Sequence, residues 1–328
     1  MHEGKPLSNN HMLDHLHIRH FKGFRDLRIE PLGQINLIIG KNNTGKTSLL
    51  EALMLWDFPT HPGPALQYRG VKWPIQGNEA YLLDNYLSFF HARDFSQPLS
   101  INDVQIHLTG VSEVDMAQFL RGADPNLINH PTWKPMADKL TRAFFVAVPS
   151  YLADNDMLNL WWSKIALTSK EDAVLSFVRL IEPRIIRLSL LERVGPKRLY
   201  AQVEGVSYPV PIHRFGEGIN RLINLVLALL NAEGGMLLID EIDNGLHHSV
   251  IELVWEHLFE LSEQYNVQIF ATTHNSDCVA AFARTGSQEG RAAQARLIRL
   301  FAQNNDIREV DFDIETVLAA LKVEVEMR

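Results

Sequence analysis

An eight-residue stretch near the start of the chain has the residue types and spacing of a phosphate-binding loop. It fits the pattern G-x-x-x-x-G-K-[ST] with the residues Gly40, Lys41, Asn42, Asn43, Thr44, Gly45, Lys46 and Thr47. Glycines let backbone N–H groups fold around phosphate oxygens at a helix N-terminus, where the dipole favours negative charge. Lys46 would face the β- and γ-phosphates, and the Thr47 hydroxyl would bind Mg²⁺. The stretch, together with Ser48, predicts a site for a nucleoside triphosphate and Mg²⁺.

A pair of acidic residues, Asp240 and Glu241, follows the short apolar run Met236–Ile239. Such a run is typical of a parallel core strand, which delivers polar side chains to the C-terminal edge of a sheet. Asp240 would hold Mg²⁺ and its water shell. Glu241 would stand where a general base can deprotonate the attacking water. The pair therefore predicts hydrolysis of the bound nucleotide.

Two further segments carry polar groups that could reach a phosphate. His274 ends a β-favouring run that begins at Ile269, so it could face the γ-phosphate. Gly216, Glu217 and Gly218 precede the apolar stretch Leu222–Leu230, and we interpret them as a glycine turn that caps a buried helix. The N–H groups of such a turn would form a second anion site. Neither segment is specific on its own, but both lie downstream of a phosphate loop, which supports a role for them in binding the nucleotide.

The elements that must position these residues are also indicated by the sequence. Residues Ile35–Ile39 are predicted to form a buried strand that leads into the loop, and Ser48–Trp56 to form the helix that follows it. The alternation between Leu199 and Val210, with Gly205 inside it, predicts a hairpin before the glycine turn. A second hairpin is predicted through Leu297–Phe301 and Ile307–Phe312.

Taken together, the four segments resemble the ABC-type ATPase head of the SMC, RecF and OLD (overcoming lysogenization defect) group. The opening Leu16–Leu27 looks like the N-terminal strand pair of that group, and 240–247 looks like its Mg²⁺-binding strand and the loop that crosses to the partner. The resemblance implies a homodimer around two ATP molecules. Each ATP would be held by the phosphate loop of one protomer and the signature 216–218 of the other, with His274 as the switch histidine.

Two departures from the pattern of the group bear on activity. The signature often has serine where this chain has Gly216, so contact with the γ-phosphate must rest on backbone amides, and hydrolysis could be slow. The group also has a glutamine that senses Mg²⁺, for which Gln67 and Gln97 are both candidates.

Composition limits the partners and the compartment. The net charge of −8 and the pI of about 6.0 argue against a generally basic nucleic-acid surface, so a DNA partner is possible without support from charge. The single cysteine, Cys278, excludes an intrachain disulfide and fits a reducing cytoplasm. Residues Met1–Asn10 are polar, and no apolar stretch approaches the ~20 residues of a membrane span. We therefore expect a cytoplasmic protein, neither secreted nor inserted into a membrane.

The fold class expected is α/β: a P-loop ABC-type head with a mainly parallel core sheet, an N-terminal antiparallel β subdomain and an inserted, mostly helical lobe. The long separation of Lys46 from Asp240 indicates the insertion, so we assign 1–110 and 192–328 to the head and 111–191 to the lobe. No heptad pattern predicts a long coiled-coil arm. The 54 residues after His274 leave no room for the nuclease module of OLD proteins.

The resemblance implies a Mg²⁺-dependent ATPase that acts as a nucleotide-gated dimerisation switch. Small heads of this kind resemble ATPase subunits of bacterial defence or toxin-like systems, in which the effector is a separate protein. One alternative is a RecF-like DNA-maintenance ATPase that clamps duplex DNA. Another is a scaffold that senses ATP and hardly turns it over, which Gly216 favours and Glu241 opposes.

Overall fold

The computed structural model describes residues 12–57, 88–93, 96–106, 145–148, 155–192, 197–304 and 306–322. Its strands, in chain order, are β1 (Leu16–Phe21), β2 (Phe24–Ile29), β3 (Ile35–Ile39), β4 (Leu99–Ile101), β5 (Val104–Ile106), β6 (Phe145–Val148), β7 (Ile185–Leu191), β8 (Arg198–Val203), β9 (Val210–Pro211), β10 (Met236–Ile239), β11 (Gln268–Thr272), β12 (Ala295–Gln303) and β13 (Asp306–Phe312). Its helices are α1 (Lys46–Asp57), α2 (Asn155–Ile165), α3 (Lys170–Val178), α4 (Glu217–Asn231), α5 (His248–Gln264), α6 (Ser276–Gly286) and α7 (Ile314–Lys322).

The central sheet has six strands in the order β13-β12-β3-β11-β10-β6. All of its pairings are parallel except that of β12 with β13, which forms the predicted C-terminal hairpin. Every residue of β3, β10 and β11 is buried, because both faces of the sheet are covered. The parallel arrangement brings the C-terminal ends of these three strands to one edge, where the predicted site residues follow.

Alternation along the strands divides the apolar side chains between two cores. On β3, Ile35, Leu37 and Ile39 face one core, and Ile38 faces the other. The first core is closed by the apolar faces of α2 to α7, and the second by α1 and the N-terminal strands. This arrangement holds α1 on the opposite face of the sheet from α4.

An antiparallel sheet in the order β2-β1-β4-β5 covers the face that carries α1. The strand pair β1 and β2 aligns Leu16 with Ile29 and Phe21 with Phe24, which confirms the strand pair predicted at the N-terminus. The turn between β1 and β2 contains Gly23, where an added Cβ would lie 2.6 Å from the Ile307 side chain on β13. The turn is thereby held against the last hairpin of the central sheet.

A third sheet, in the order β7-β8-β9, leads into the predicted signature. Strands β8 and β9 form the hairpin predicted between Leu199 and Val210. Strand β7 pairs with β8, and β6 pairs with β10, although both β6 and β7 fall in the range 111–191 that was assigned to the lobe. The division into head and lobe stays a prediction, because much of that range lies outside the described residues.

Candidate functional site

The phosphate-loop residues connect the end of β3 to the start of α1, as predicted. Gly40 has a φ of 149°, and a Cβ there would collide with the carbonyl oxygen of Leu300. Gly45 has a φ of 88°, and a Cβ there would lie 2.8 Å from the Phe24 ring. Both positions therefore require glycine for their backbone angle and for the close approach of a neighbour. Asn43, at φ 65°, completes the turn in a conformation that asparagine tolerates.

Side-chain contacts close the loop. Thr44 is buried, and its hydroxyl donates to the carbonyl oxygen of Lys41 at 2.8 Å. The Lys46 ammonium donates to the carbonyl oxygens of Gly40 and Lys41 at 2.8 and 3.0 Å. Partial burial lowers the pKa of Lys46, and the nearby carboxylates Asp240 and Glu241 act in the opposite direction. The lysine thus lies across the loop, where two carbonyl oxygens hold its ammonium group.

Asp240 lies opposite the start of α1. Its carboxylate accepts from the Thr47 hydroxyl at 3.2 Å and from the Thr272 hydroxyl at 2.6 Å. Oxygen ligands in neighbouring positions around Mg²⁺ are about 3 Å apart, because each lies 2.0–2.1 Å from the ion. The spacing of the Thr47 and Asp240 oxygens therefore fits the predicted role of these two residues as Mg²⁺ ligands.

Glu241 has a strained backbone that two neighbours fix. Its φ is 47°, in the left-handed region that a non-glycine residue rarely adopts. Its N–H donates to the Thr272 hydroxyl at 2.9 Å, and its carbonyl oxygen accepts from Arg221 at 2.9 Å. Strain of this kind persists only where the surroundings over-determine the conformation, and it is typical of functional sites.

His274 follows β11, as predicted, and its side chain approaches that of Glu241. Its Nδ1 lies 3.7 Å from Oε1 of Glu241, and both side chains are about half exposed. The next residues turn away into α6, where the Asn275 side chain caps the helix by accepting from the Asp277 N–H. The structure thus places the histidine beside the proposed general base.

The phosphate loop and the acid pair border a cleft of about 440 Å³. It is lined by Asn42, Asn43 and 45–48, by Asp240 and Glu241, and by Gly23 and Ile307. The last two were not predicted as site residues, because their position depends on the turn and hairpin that close one side of the cleft. Gln97 is exposed and Gln67 lies outside the described residues, so the choice of a Mg²⁺-sensing glutamine stays open.

The signature residues lie apart from this cleft. Gly216, Glu217 and Gly218 start α4, where the first two are exposed, and none of the three lines the cleft. Gly216 has a φ of 89° with no atom near the place of a Cβ, so its backbone angle, rather than crowding, favours glycine over the serine of related signatures. Gly245 of the same chain lies beside the signature, since a Cβ built on Gly245 would be 3.6 Å from Cβ of Glu217.

Two residues at this site escaped the sequence reasoning. The sequence places Thr272 within a β-favouring run and gives it no further role, yet its hydroxyl joins the Asp240 carboxylate to the Glu241 backbone. Arg221 is only 2% exposed and reaches the acid pair from α4. The signal for Arg221 was present, because a cation beside the apolar run Leu222–Leu230 needs a buried partner.

Known protein families match two parts of this chain. Residues 130–278 match the family described as "AAA domain, putative AbiEii toxin, Type IV TA system", and residues 15–59 match a second family described as "AAA domain". An "ATP/GTP phosphatase" of Helicobacter pylori is 22% identical over 88% of this chain and 92% of its own length. A "DNA replication and repair protein RecF" of Marinomonas is 48% identical over 56% of this chain, which spans about half (51%) of that relative.

A solved structure, an "SmcHead bound to the C-winged helix domain of ScpA", aligns with 93% of this chain and 99% of its own. Its TM-score is 0.55 at 12% identity, so the likeness shows the fold. With the phosphate loop and acid pair at the edge of a parallel sheet, the fold is that of an α/β P-loop ATPase head. In fold and in its matched segments the chain is similar to the SMC/RecF-like ABC-type ATPase heads. Among the described residues, no helix has the length and apolar character to cross a membrane.

Proposed function

We propose that this chain binds ATP with Mg²⁺ in the cleft and hydrolyses it, and that ATP joins two copies of the chain into a dimer. In this proposal Lys46 and the loop amides hold the β- and γ-phosphates. Thr47 and Asp240 hold Mg²⁺, which supplies charge neutralisation to the phosphates. Glu241 accepts a proton from the attacking water, and His274 stands beside it at the γ-phosphate end.

One observation carries the dimer. The cleft holds the phosphate loop and the acid pair, but the signature of the same chain lies outside it, against Gly245. An anion site at 216–218 can therefore complete a nucleotide site only if it belongs to a second chain. A two-fold arrangement would supply each cleft with the signature of the partner. Gly216 is exposed and has open space at its Cβ position, so a nucleotide held by a second chain has room to approach it.

The switch would act on a separate protein. The matched family carries the description of a toxin-like system, and the related SMC head was solved with a domain of another protein bound. These likenesses support an effector controlled through ATP-driven association, in a defence or toxin-like setting. The surface of the ATPase dimer that the effector recognises would change when the two heads close around ATP and open again.

The test is the mass of the protein in solution. Glu241→Gln should bind ATP and hydrolyse it slowly, so Mg²⁺-ATP should convert it from monomer to dimer in size-exclusion chromatography with light scattering. The matched control is the double variant Lys46→Ala with Glu241→Gln, which should stay monomeric because the phosphate charge is no longer neutralised. A Glu241→Gln protein that binds ATP by calorimetry and remains monomeric would overturn the dimer.

A second function is favoured by the RecF relatives, which are named for DNA replication and repair. If the closed dimer clamps duplex DNA, binding should require ATP and weaken steeply as salt rises. The net charge of −8 means that any contact with DNA would have to come from a local patch. Fluorescence anisotropy of a labelled duplex, with the Lys46→Ala protein as the control, separates this function from control of a protein effector.

A further inference from the structure

Arg221 links the signature helix to the acid pair within one chain. It lies four residues after Glu217 on α4, and its side chain is almost completely buried. One guanidinium nitrogen, Nη2, donates to the carbonyl oxygen of Asp240 at 2.8 Å and to that of Glu241 at 2.9 Å. A buried cation persists only with such partners, so Arg221 fixes the distance between α4 and the acid-pair backbone.

The same backbone is held from its other side by β11. The Glu241 N–H donates to the Thr272 hydroxyl at 2.9 Å, and the Ile242 N–H donates to the Thr272 carbonyl oxygen at 3.0 Å. Arg221 and Thr272 together over-determine the left-handed conformation of Glu241. A shift of α4 would move Arg221, which donates to the carbonyl oxygen of Glu241. It would therefore change the direction of the Glu241 carboxylate.

A second contact joins the two segments at the surface. The loop after the acid pair brings Gly245 against the first turn of α4, where a Cβ on Gly245 would lie 3.6 Å from Cβ of Glu217. A Cβ on Gly218 would lie 3.4 Å from the Gly245 carbonyl oxygen. The signature is therefore attached to the acid-pair segment both inside the protein and at its surface.

In the dimer, the signature and the acid pair of one chain act on different ATP molecules. The acid pair of a chain acts on the ATP in its own cleft, and the signature of that chain contacts the ATP of its partner. We propose that Arg221 is a positioning residue that couples the two ATP sites, so that contact between a signature and the partner's ATP orients Glu241 for hydrolysis in its own cleft. This inference rests on the dimer proposed above, and it adds the route by which one site senses the other.

The experiment measures the ATPase rate against ATP concentration for the full chain. The wild-type protein should give a Hill coefficient above 1, and Arg221→Met should lower it to about 1 and reduce the maximal rate by about tenfold or more. ATP affinity measured by calorimetry on the monomer should stay within about threefold, because Arg221 does not line the cleft. Arg221→Lys should be intermediate, since its ammonium can donate to the same carbonyls from a shorter side chain.

The matched control is Asn224→Ala, one turn further along α4. Asn224 is also buried, and its side chain donates to the Asn220 carbonyl oxygen within the helix. Asn224→Ala should keep the wild-type Hill coefficient even if it lowers the free energy of unfolding. If Arg221→Met fails to fold by circular dichroism, Arg221→Lys decides the question.

An unchanged Hill coefficient in the folded Arg221 variants would overturn the coupling, and so would a wild-type coefficient of 1. Failure of the proposed dimer is recognised separately, because Glu241→Gln would then stay monomeric with ATP bound.

Discussion

Replacing Thr272 with valine tests how the acid pair is held without reference to any ligand. Valine keeps the shape of threonine and removes the hydroxyl, which is fully buried and makes two hydrogen bonds. The bond to the Asp240 carboxylate contributes about 1.5–3 kcal/mol, because its acceptor is charged. The Glu241 N–H would also be left without its acceptor, at about 1–3 kcal/mol. We expect Thr272→Val to reduce the free energy of unfolding by about 3 kcal/mol.

The assay is urea unfolding followed by circular dichroism, with two controls. Thr272→Ser keeps the hydroxyl and loses one methyl group, so it should cost about 1 kcal/mol. Thr285 is as deeply buried as Thr272, but its hydroxyl has no hydrogen-bond partner among the described residues. Thr285→Val should therefore be neutral or stabilising. A Thr272→Val protein as stable as Thr285→Val, or more stable than Thr272→Ser, would refute the reasoning.

Three further outcomes follow from the site and its surroundings. ATP affinity should begin to fall at a pH below the one at which lysine usually loses its proton, because burial lowers the pKa of Lys46 and loss of the proton removes the charge facing the phosphates. Lys46→Arg should shift that fall to higher pH, because arginine keeps its proton. Calorimetry across pH 7–10 measures both effects. Glu241→Gln should lose about 10²-fold or more in turnover with ATP affinity unchanged, and near-native turnover would mean that another group activates the water. Burial raises the pKa of Cys278 to about 12, so this thiol should react with a disulfide reagent at pH 8 only in urea; rapid labelling of the folded protein would be inconsistent with its burial.

The phosphate loop and the acid pair could be predicted because their chemistry is local. The Gly40 and Gly45 positions need positive φ, and Asp240 and Glu241 follow directly on an apolar strand, so the order of residues carries the signal. The strands and helices next to them follow from apolar patterns of the same kind. The resemblance of these segments to a known group predicts the fold class, which the likeness to an SMC head confirms.

The parts that escaped prediction depend on contacts between distant segments. Thr272 reaches Asp240 only because β11 lies between β3 and β10, and a strand order cannot be read from one strand. Strand β6 has four residues and joins the central sheet through its pairing with β10, which its own short sequence does not specify. Arg221 could be recognised as unusual on an apolar helix, but its acceptors are backbone carbonyls, which carry no residue-type signal.

The most direct measurement of the shared-site dimer mixes two inactive variants. In Gly218→Asp the new carboxylate would repel the partner's γ-phosphate, and in Lys46→Ala the cleft would lose its phosphate charge, so each protein alone should be inactive. A heterodimer has one site with an intact cleft and an intact signature. An equal mixture should therefore recover between about a fortieth and about a quarter of the wild-type ATPase rate. About half of the dimers are mixed with one working site each, which gives the quarter, and the proposed coupling through Arg221 would slow that site about tenfold, because the signature of its own chain is altered. A mixture as inactive as its parents, with heterodimers verified through two different affinity tags, would contradict the account.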